Sequence, residues 1–325
     1  MKTEEFLLRL CYLKVAVTLM SLLACTFGFA NGAEAQQVVR ACQIFPANSI
    51  WNKRIDTLLV DSNSATYVNA LGAGNHFHPD VGNDINVFGI PYNLVPGSML
   101  RAVVTFDYPD ESDPGPYPVS DKLLIEGGTW STANGGDRHV LMVDTTNRIL
   151  YELYNTSDKG NNSFHAASGA IFPLDSNKLR PSGWTSADAA GLPVFPGLLN
   201  YDEVATGKVQ HALRFTCRHT NGYIWPARHK AGPQTGGYPP NGQRFRLKQS
   251  FNIAGYSKTN QTILTALKQY GMFVADNGSS WFCSGAPDAR WNNSDLDNLK
   301  NLMGSDFEAV NESSLMISAD SAQSK

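Results

Sequence analysis

Apolar positions along the chain fall in short runs broken by Gly and Pro, and most runs alternate rather than recur every three or four residues. In GDRHVLMVD (136–144) the period of two sends His139, Leu141 and Val143 to one side and Val140 and Met142 to the other. In the partner run it sends Arg148, Leu150, Glu152 and Tyr154 to one side and Ile149, Tyr151 and Leu153 to the other. These two runs predict a hairpin around Thr145-Thr146. Pairing Asp144 with Asn147 places His139 opposite Glu152; pairing Thr145 with Arg148 makes the two diagonal neighbours on one face. An odd-length loop would mix apolar and charged faces and is disfavoured. The hairpin is expected to bury one face and to display His139, Arg148, Glu152 and Tyr154 on the other.

Further strands are expected at 100–106, 122–125, 210–216 and 222–225, with Asn221-Gly222 as a turn between the last two. A helical period appears late. Ile263, Leu264, Leu267 and Tyr270 form one stripe over 259–270, with Gly271 as the stop. A second helix is expected from Ser294 as N-cap, through Leu296, Leu299 and Met303, to Gly304. A short turn at 186–190 ends at Gly191. Strands in the middle and helices near the end predict a mainly β single domain, a β-sandwich of jelly-roll type with a few peripheral helices, over 36–312. The polar stretch 313–325 reads as a disordered tail. The long segments 107–119 and 228–244 are rich in Pro, Gly and Tyr, as loops that frame a groove often are.

The first residues form an address. Lys2, Arg9 and Lys14 precede an apolar run at 15–30, and Ala33-Glu34-Ala35 fits a small-x-small cleavage site, so residues 1–35 are expected to be a signal peptide cut after Ala35. Leu22-Leu23-Ala24-Cys25 offers a lipoprotein site anchored at Cys25, which the apolar residues after Cys25 disfavour. Either way the product is secreted or periplasmic, and no later run is long enough to insert in a membrane. The leader carries Lys2, Arg9 and Lys14 against Glu4, Glu5 and Glu34, so the formal charge of −3 is the same with or without it. A surface so near neutrality gives no reason to expect nucleic acid as a partner. Cys42, Cys217 and Cys283 remain, which in an exported chain predicts one disulfide and one thiol.

Several blocks are more specific than composition: IFPANSIWN (44–52), HPDVG (78–82), GIPYNLV (89–95), SDPGPYPV (112–119), GDRHVLMVD (136–144), YELYN (151–155), RPSGWTSADAAGLPVFPGL (180–198), HALRFT (211–216), WPARH (225–229), RFRLK (244–248) and ADNGSSW (275–281). Together they resemble an uncharacterised family of exported, mainly bacterial proteins. The resemblance spans nearly all of 36–325. It implies export and one integral domain, and it implies no activity.

Function therefore has to be read from the residues. Glycosidic hydrolysis needs one carboxyl to protonate the leaving oxygen and another to act as nucleophile or base. Glu152 stands mid-strand beside two tyrosines where a core residue is expected, and its YEL context is similar to nucleophile strands of some jelly-roll glucanases. Glu126, Asp137, Glu203 and Asp276 are possible partners. Glu126 and Asp137 rank first because they flank one Gly-rich stretch, whereas Asp276-Asn277-Gly278 reads as a turn. His211 and Arg214 point to opposite faces of a strand, so one of them is expected to be structural. A polysaccharide lyase would instead use Arg138, Arg228, His139, His229 and Tyr154 to neutralise a uronate and move its proton.

His76, His78 and Asp80 have a spacing that suits a metal only on an extended strand, and Pro79 suggests a loop. Gln36 as the mature N-terminus removes the copper-oxygenase reading, which needs a His there. Six tryptophans, Trp130 and Trp225 among them, lie mostly in Gly-, Pro- or polar-rich settings suited to stacking on sugars. No serine-hydrolase elbow, phosphate loop or dinucleotide fingerprint occurs.

The expectation is an exported glycoside hydrolase without a cofactor, acting on a polysaccharide. Glu152 is nucleophile or base, His139 orients it, and Asp137 or Glu126 is the acid. Tyr154, Arg138, Trp225, Arg228, His229 and Trp130 bind substrate. The alternatives are a polysaccharide lyase and a non-catalytic carbohydrate-binding or cell-envelope protein.

Overall fold

The structure is a computed structural model that describes residues 36–39, 42–128, 130 and 136–325. The leader, with Cys25, lies outside the described residues. One compact unit spans Ala35–Lys325. It is mainly β and sandwich-like, and among the described residues three main sheets and a helical layer stack over three apolar layers, with a two-stranded ribbon of Val38–Val39 and Cys42–Gln43 beside them.

The central sheet runs, edge to edge, Ser168–Pro173, Ile149–Tyr154, Val140–Asp144 and Tyr92–Val95. The expected hairpin is its middle pair, with Asp144 opposite Ile149 and Val140 opposite Leu153. This is the register in which His139 and Glu152 are diagonal neighbours. Asp144 fixes it by accepting from the amides of Thr146 (3.1 Å) and Asn147 (2.9 Å) across the turn. Contrary to expectation, neither face of the hairpin is open. Leu141, Val143 and Leu150 pack toward a large sheet, and Val140, Met142, Tyr151 and Leu153 pack toward a small one.

The large sheet runs Phe307–Ala309, Arg244–Leu247, Met272–Asn277, Leu213–Cys217, Phe282–Ser284 and His78–Asp80. Phe273 on one face joins the apolar layer shared with the central sheet. Leu213, Phe215, Met272 and Val274 on the other face pack with Ile263, Leu264 and Leu267 of the helix Lys258–Gln269. That helix ends as the sequence predicts. Gly271 takes φ +64° and its amide bonds the Ala266 carbonyl at 3.0 Å, while a Cβ there would meet the Phe245 carbonyl. The small sheet, Val103–Phe106, Ser163–Ala166 and Ser157–Gly160, covers the outer side of the central sheet.

Other expectations shift. The stretches 122–125 and 222–225 form no strand. The last helix is capped by the Asn292 side chain rather than Ser294; it is a short Asn293–Leu296 turn continued as the 3-10 turn Asp297–Asn301. The polar tail is docked instead of frayed. Ile50 donates to the Ala322 carbonyl at 2.7 Å, Ser324 donates to the Asn48 carbonyl at 2.9 Å, and Ala322 and Ser324 are buried. The three described cysteines are free buried thiols, so the expected disulfide is absent among them. Burial pushes Cys217 and Cys283 up to about 12.

Candidate active site

The strands Leu213–Cys217 and Met272–Asn277 run parallel, and between them the register slips by one residue. Arg214 faces Phe273 and Phe215 faces Val274, but Thr216 then faces Asp276. Without the slip Asp276 would share a face with Val274 and point into the apolar layer under the helix. With it, Asp276 shares the face of Arg214. A one-residue irregularity thus places a carboxyl beside a buried guanidinium.

Arg214 is committed to Asp188. Its Nε donates to Oδ2 at 2.9 Å, its Nη2 donates to Oδ1, and Nη1 reaches Ser284 Oγ at 2.5 Å. Asp276 Oδ2 lies farther from Arg214, at 3.7 Å, with 18% of its side chain open. It is hydrogen-bonded to Asp188. Burial, then the charge of Asp188, hold the Asp276 carboxyl well above the usual aspartate range, against the opposing pull of Arg214. Of the two carboxyls Asp188 is the one in direct salt-bridge contact with Arg214, and Asp276 is the one whose neutral form burial and its neighbour favour.

Three successive residues, 187–189, are each gripped by a cation or ring N–H. His139 Nε2 lies 2.9 Å from the Ala187 carbonyl, Arg214 holds the Asp188 side chain, and His229 Nδ1 lies 2.8 Å from the Ala189 carbonyl. The strap closes at Gly191, at φ +68°, where a Cβ would strike the Trp184 carbonyl. His139 is buried with Nδ1 2.7 Å from Glu126 Oε2. Both its nitrogens face acceptors, so both carry hydrogens. Burial opposes that charge, but the Glu126 carboxylate outweighs it and raises the imidazole to about 10. For Glu126, burial likewise favours the neutral form and the imidazolium prevails, leaving its carboxyl below the usual range.

Over this floor lies a cleft of about 400 Å³. Asp276, Asp188 and Asn277 line its base, Tyr154 and Asp137 one part of the wall, and Tyr108, Glu111 and His229 another. The last three come from the two long segments expected to frame a groove. Tyr154 donates to Asp137 Oδ1 at 3.4 Å. Burial, followed by Asp137, raises the Tyr154 phenol to about 12. His229 Nδ1 is a donor to a carbonyl, which leaves Nε2 as its accessible nitrogen, 3.6 Å from Glu111 Oε2. The arrangement can give a proton from Asp276 and take one at a carboxylate or at His229.

Glu152 is not in this cleft. It is 0% exposed, and its carboxylate accepts from the amides of Val194 (2.9 and 3.0 Å) and Phe195 (2.9 Å). Burial raises it to about 7 against those bonds. Its expected contact with substrate is therefore revised to an internal anchor between the central sheet and the segment 194–195. His139 and Glu126 also lie behind the cleft lining and hold the strap. Asp137, Tyr154 and His229 are the expected residues that the structure brings to the cleft.

The expected cations and tryptophans lie elsewhere. Arg228 is buried and bonds the carbonyls of Arg180 and Ala319 and the Asp320 carboxylate. Arg138 donates to the Thr156 carbonyl at 3.0 Å. Trp130 and Trp225 donate to the carbonyls of Leu123 and Ser321 and pack on the cores. Trp51, Trp281 and Trp291 are buried, so the aromatic surface in the cleft belongs to Tyr108 and Tyr154. Glu203 pairs with buried His211 at 3.2 Å, away from the cleft.

His78 and Asp80 do share a strand, but His78 stacks on Phe282 (4.0 Å) and His76 bonds the Lys300 carbonyl (2.6 Å). Among the described residues no group of three or more His, Cys, Asp or Glu could hold a metal ion. No described helix is long and apolar enough to cross a membrane. The sequence pattern does not single out Asp188, Glu111 or Tyr108, and it offers Asp276 only as a lower-ranked partner carboxyl in a turn-like context. The available signal was the run MFVAD (272–276), apolar on both faces as a buried parallel strand is, and then broken by a carboxylate.

Fold and site together define a β-sandwich-like protein with an acidic, tyrosine-walled cleft over a carboxyl pair. Comparison of the chain with family models, with curated proteins and with solved structures gives no match.

Proposed function

We propose that this cleft is the active site of an exported glycoside hydrolase. The observation that carries the reading is Asp276: a carboxyl that burial and Asp188 hold well above the usual aspartate range, opening onto a cleft whose wall holds a second carboxyl group, Asp137. Glycosidic cleavage needs one protonated and one ionised carboxyl. Asp276 gives its proton to the leaving oxygen. Asp137, in hydrogen-bond contact with Tyr154, serves as nucleophile or base. Arg214 and Asp188 set the acidity of Asp276, and Glu126–His139 hold the strap that carries Asp188. Tyr108 and Tyr154 offer ring faces to a sugar.

The lyase alternative needs a cation to neutralise a uronate, and among the described residues no Arg or Lys lines the cleft. Export rests on Lys2, Arg9 and Lys14 ahead of the apolar run and on Ala33-Glu34-Ala35.

The test is turnover of purified protein on a panel of polysaccharides, read as new reducing ends, beside the Asp276→Asn variant. Loss of an acid catalyst lowers the rate by about 10²–10⁴-fold, and the variant should unfold like the parent because Asn is isosteric with a neutral carboxyl. Activity should fall as pH rises through the elevated range in which Asp276 loses its proton. Full turnover in Asp276→Asn, or no reducing ends from any glycan, contradicts the proposal.

A further inference from the structure

The charges around the cleft are distributed unevenly. Among the described residues the nearby guanidiniums have internal acceptors: Arg214 on Asp188, Arg138 on the Thr156 carbonyl, Arg228 on Asp320 and two carbonyls, and Arg180 on Asp113 and the carbonyls of Glu111 and Thr185. Among the described residues the lining holds Glu111 and Asp137 beside the Asp188–Asp276 pair and, apart from His229, no basic side chain. Among the described residues Glu111 Oε2 accepts from the Thr185 amide at 3.2 Å and lies 3.6 Å from His229 Nε2, and Asp137 Oδ1 accepts from Tyr154 at 3.4 Å. Both carboxylates therefore keep lone pairs for a donor in the cleft, and the rings of Tyr108 and Tyr154 stand in the same lining. Carboxylates with aromatic faces make the setting that attracts an ammonium group. The same carboxylates repel an anion, so the site discriminates by rejection as well as by attraction.

Resting on the reading of this cleft as a glycan-cleaving site, we infer that its substrate is a glycan bearing free amino groups, with Glu111 as the residue that selects the ammonium. An N-acetylated glycan loses that contact, and a uronate meets two like charges.

Binding is best measured by calorimetry on the full chain carrying Asp276→Asn, which does not consume the ligand and leaves the cleft charge unchanged. The probes are the tetramers of glucosamine, N-acetylglucosamine and galacturonate, and tetralysine. The glucosamine tetramer should bind about tenfold or more tightly than its acetylated counterpart, the size of one charge-assisted hydrogen bond. That preference should shrink with added salt and vanish in Asp276→Asn/Glu111→Gln, where Gln can still accept from Thr185. Equal affinity for the two glucosamine tetramers, tighter binding of galacturonate, or equal binding of tetralysine overturns the inference. Asp276-dependent cleavage of neutral glycans without an amine preference sinks this inference and leaves the hydrolase standing. An amine preference that depends on Glu111, with no glycan cleaved by the unmodified protein, supports the charge selection and sinks the hydrolase.

Discussion

A glutamate in the middle of a strand can serve chemistry or the fold, and sequence distinguishes the two poorly. Glu152 alternates onto the same face as Tyr154, yet Tyr154 reaches the cleft and Glu152 is sealed two residues further in. What decides is the segment 194–195, far away in sequence, whose amides point at the carboxylate. Replacing Glu152 by Gln puts an NH2 group against an amide donor and leaves a buried N–H unpaired, at a cost of about 1–3 kcal/mol. Urea unfolding should show that loss, with turnover retained in the folded fraction. An unchanged midpoint with abolished turnover would return Glu152 to the chemistry. Asp276 is the converse case. Its three-residue context has the composition of a turn, and only the slipped pairing of Met272–Asn277 with Leu213–Cys217 turns it toward Arg214. A slip of that kind leaves no mark in the alternation of either strand read alone.

Elements were most legible where local chemistry fixes them. The hairpin 140–154 has its turn tied by Asp144, and the helix Lys258–Gln269 has Ser257 accepting from the Asn260 amide at one end and Gly271 at the other. The strands Arg244–Leu247 and Met272–Asn277 were missed because both their faces are buried, so they do not alternate. The tail 313–325 misled for a different reason. Its polar residues are used through backbone and charge: Asp320 and the Ala319 carbonyl satisfy buried Arg228, the Ser321 carbonyl satisfies Trp225, and the Ala322 carbonyl satisfies Ile50. Deleting residues 313–325 removes two of the three partners of a buried guanidinium and should destabilise the protein by about 1–3 kcal/mol, read as a lower melting temperature. Equal melting of the shortened and full chains would show that the tail is dispensable.

At the scale of the whole molecule, the cleft draws on both larger sheets. The central sheet brings Tyr154, the large sheet brings Asp276, and the strap 187–189 is held between them by His139, Arg214 and His229. The mainly β class was readable from strand punctuation, and the two long Pro- and Gly-rich segments do reach the cleft. The meeting of strap and sheets was not readable, because every pair that makes it is distant in sequence. The account stands on one protonation state. Carboxyl carbon NMR titration of Asp276, its signal identified by its loss in Asp276→Asn, measures that state without any knowledge of the substrate. The account predicts that Asp276 keeps its proton well above the pH at which an ordinary aspartate gives it up, about 3.9; an Asp276 signal that titrates in that ordinary range would contradict it.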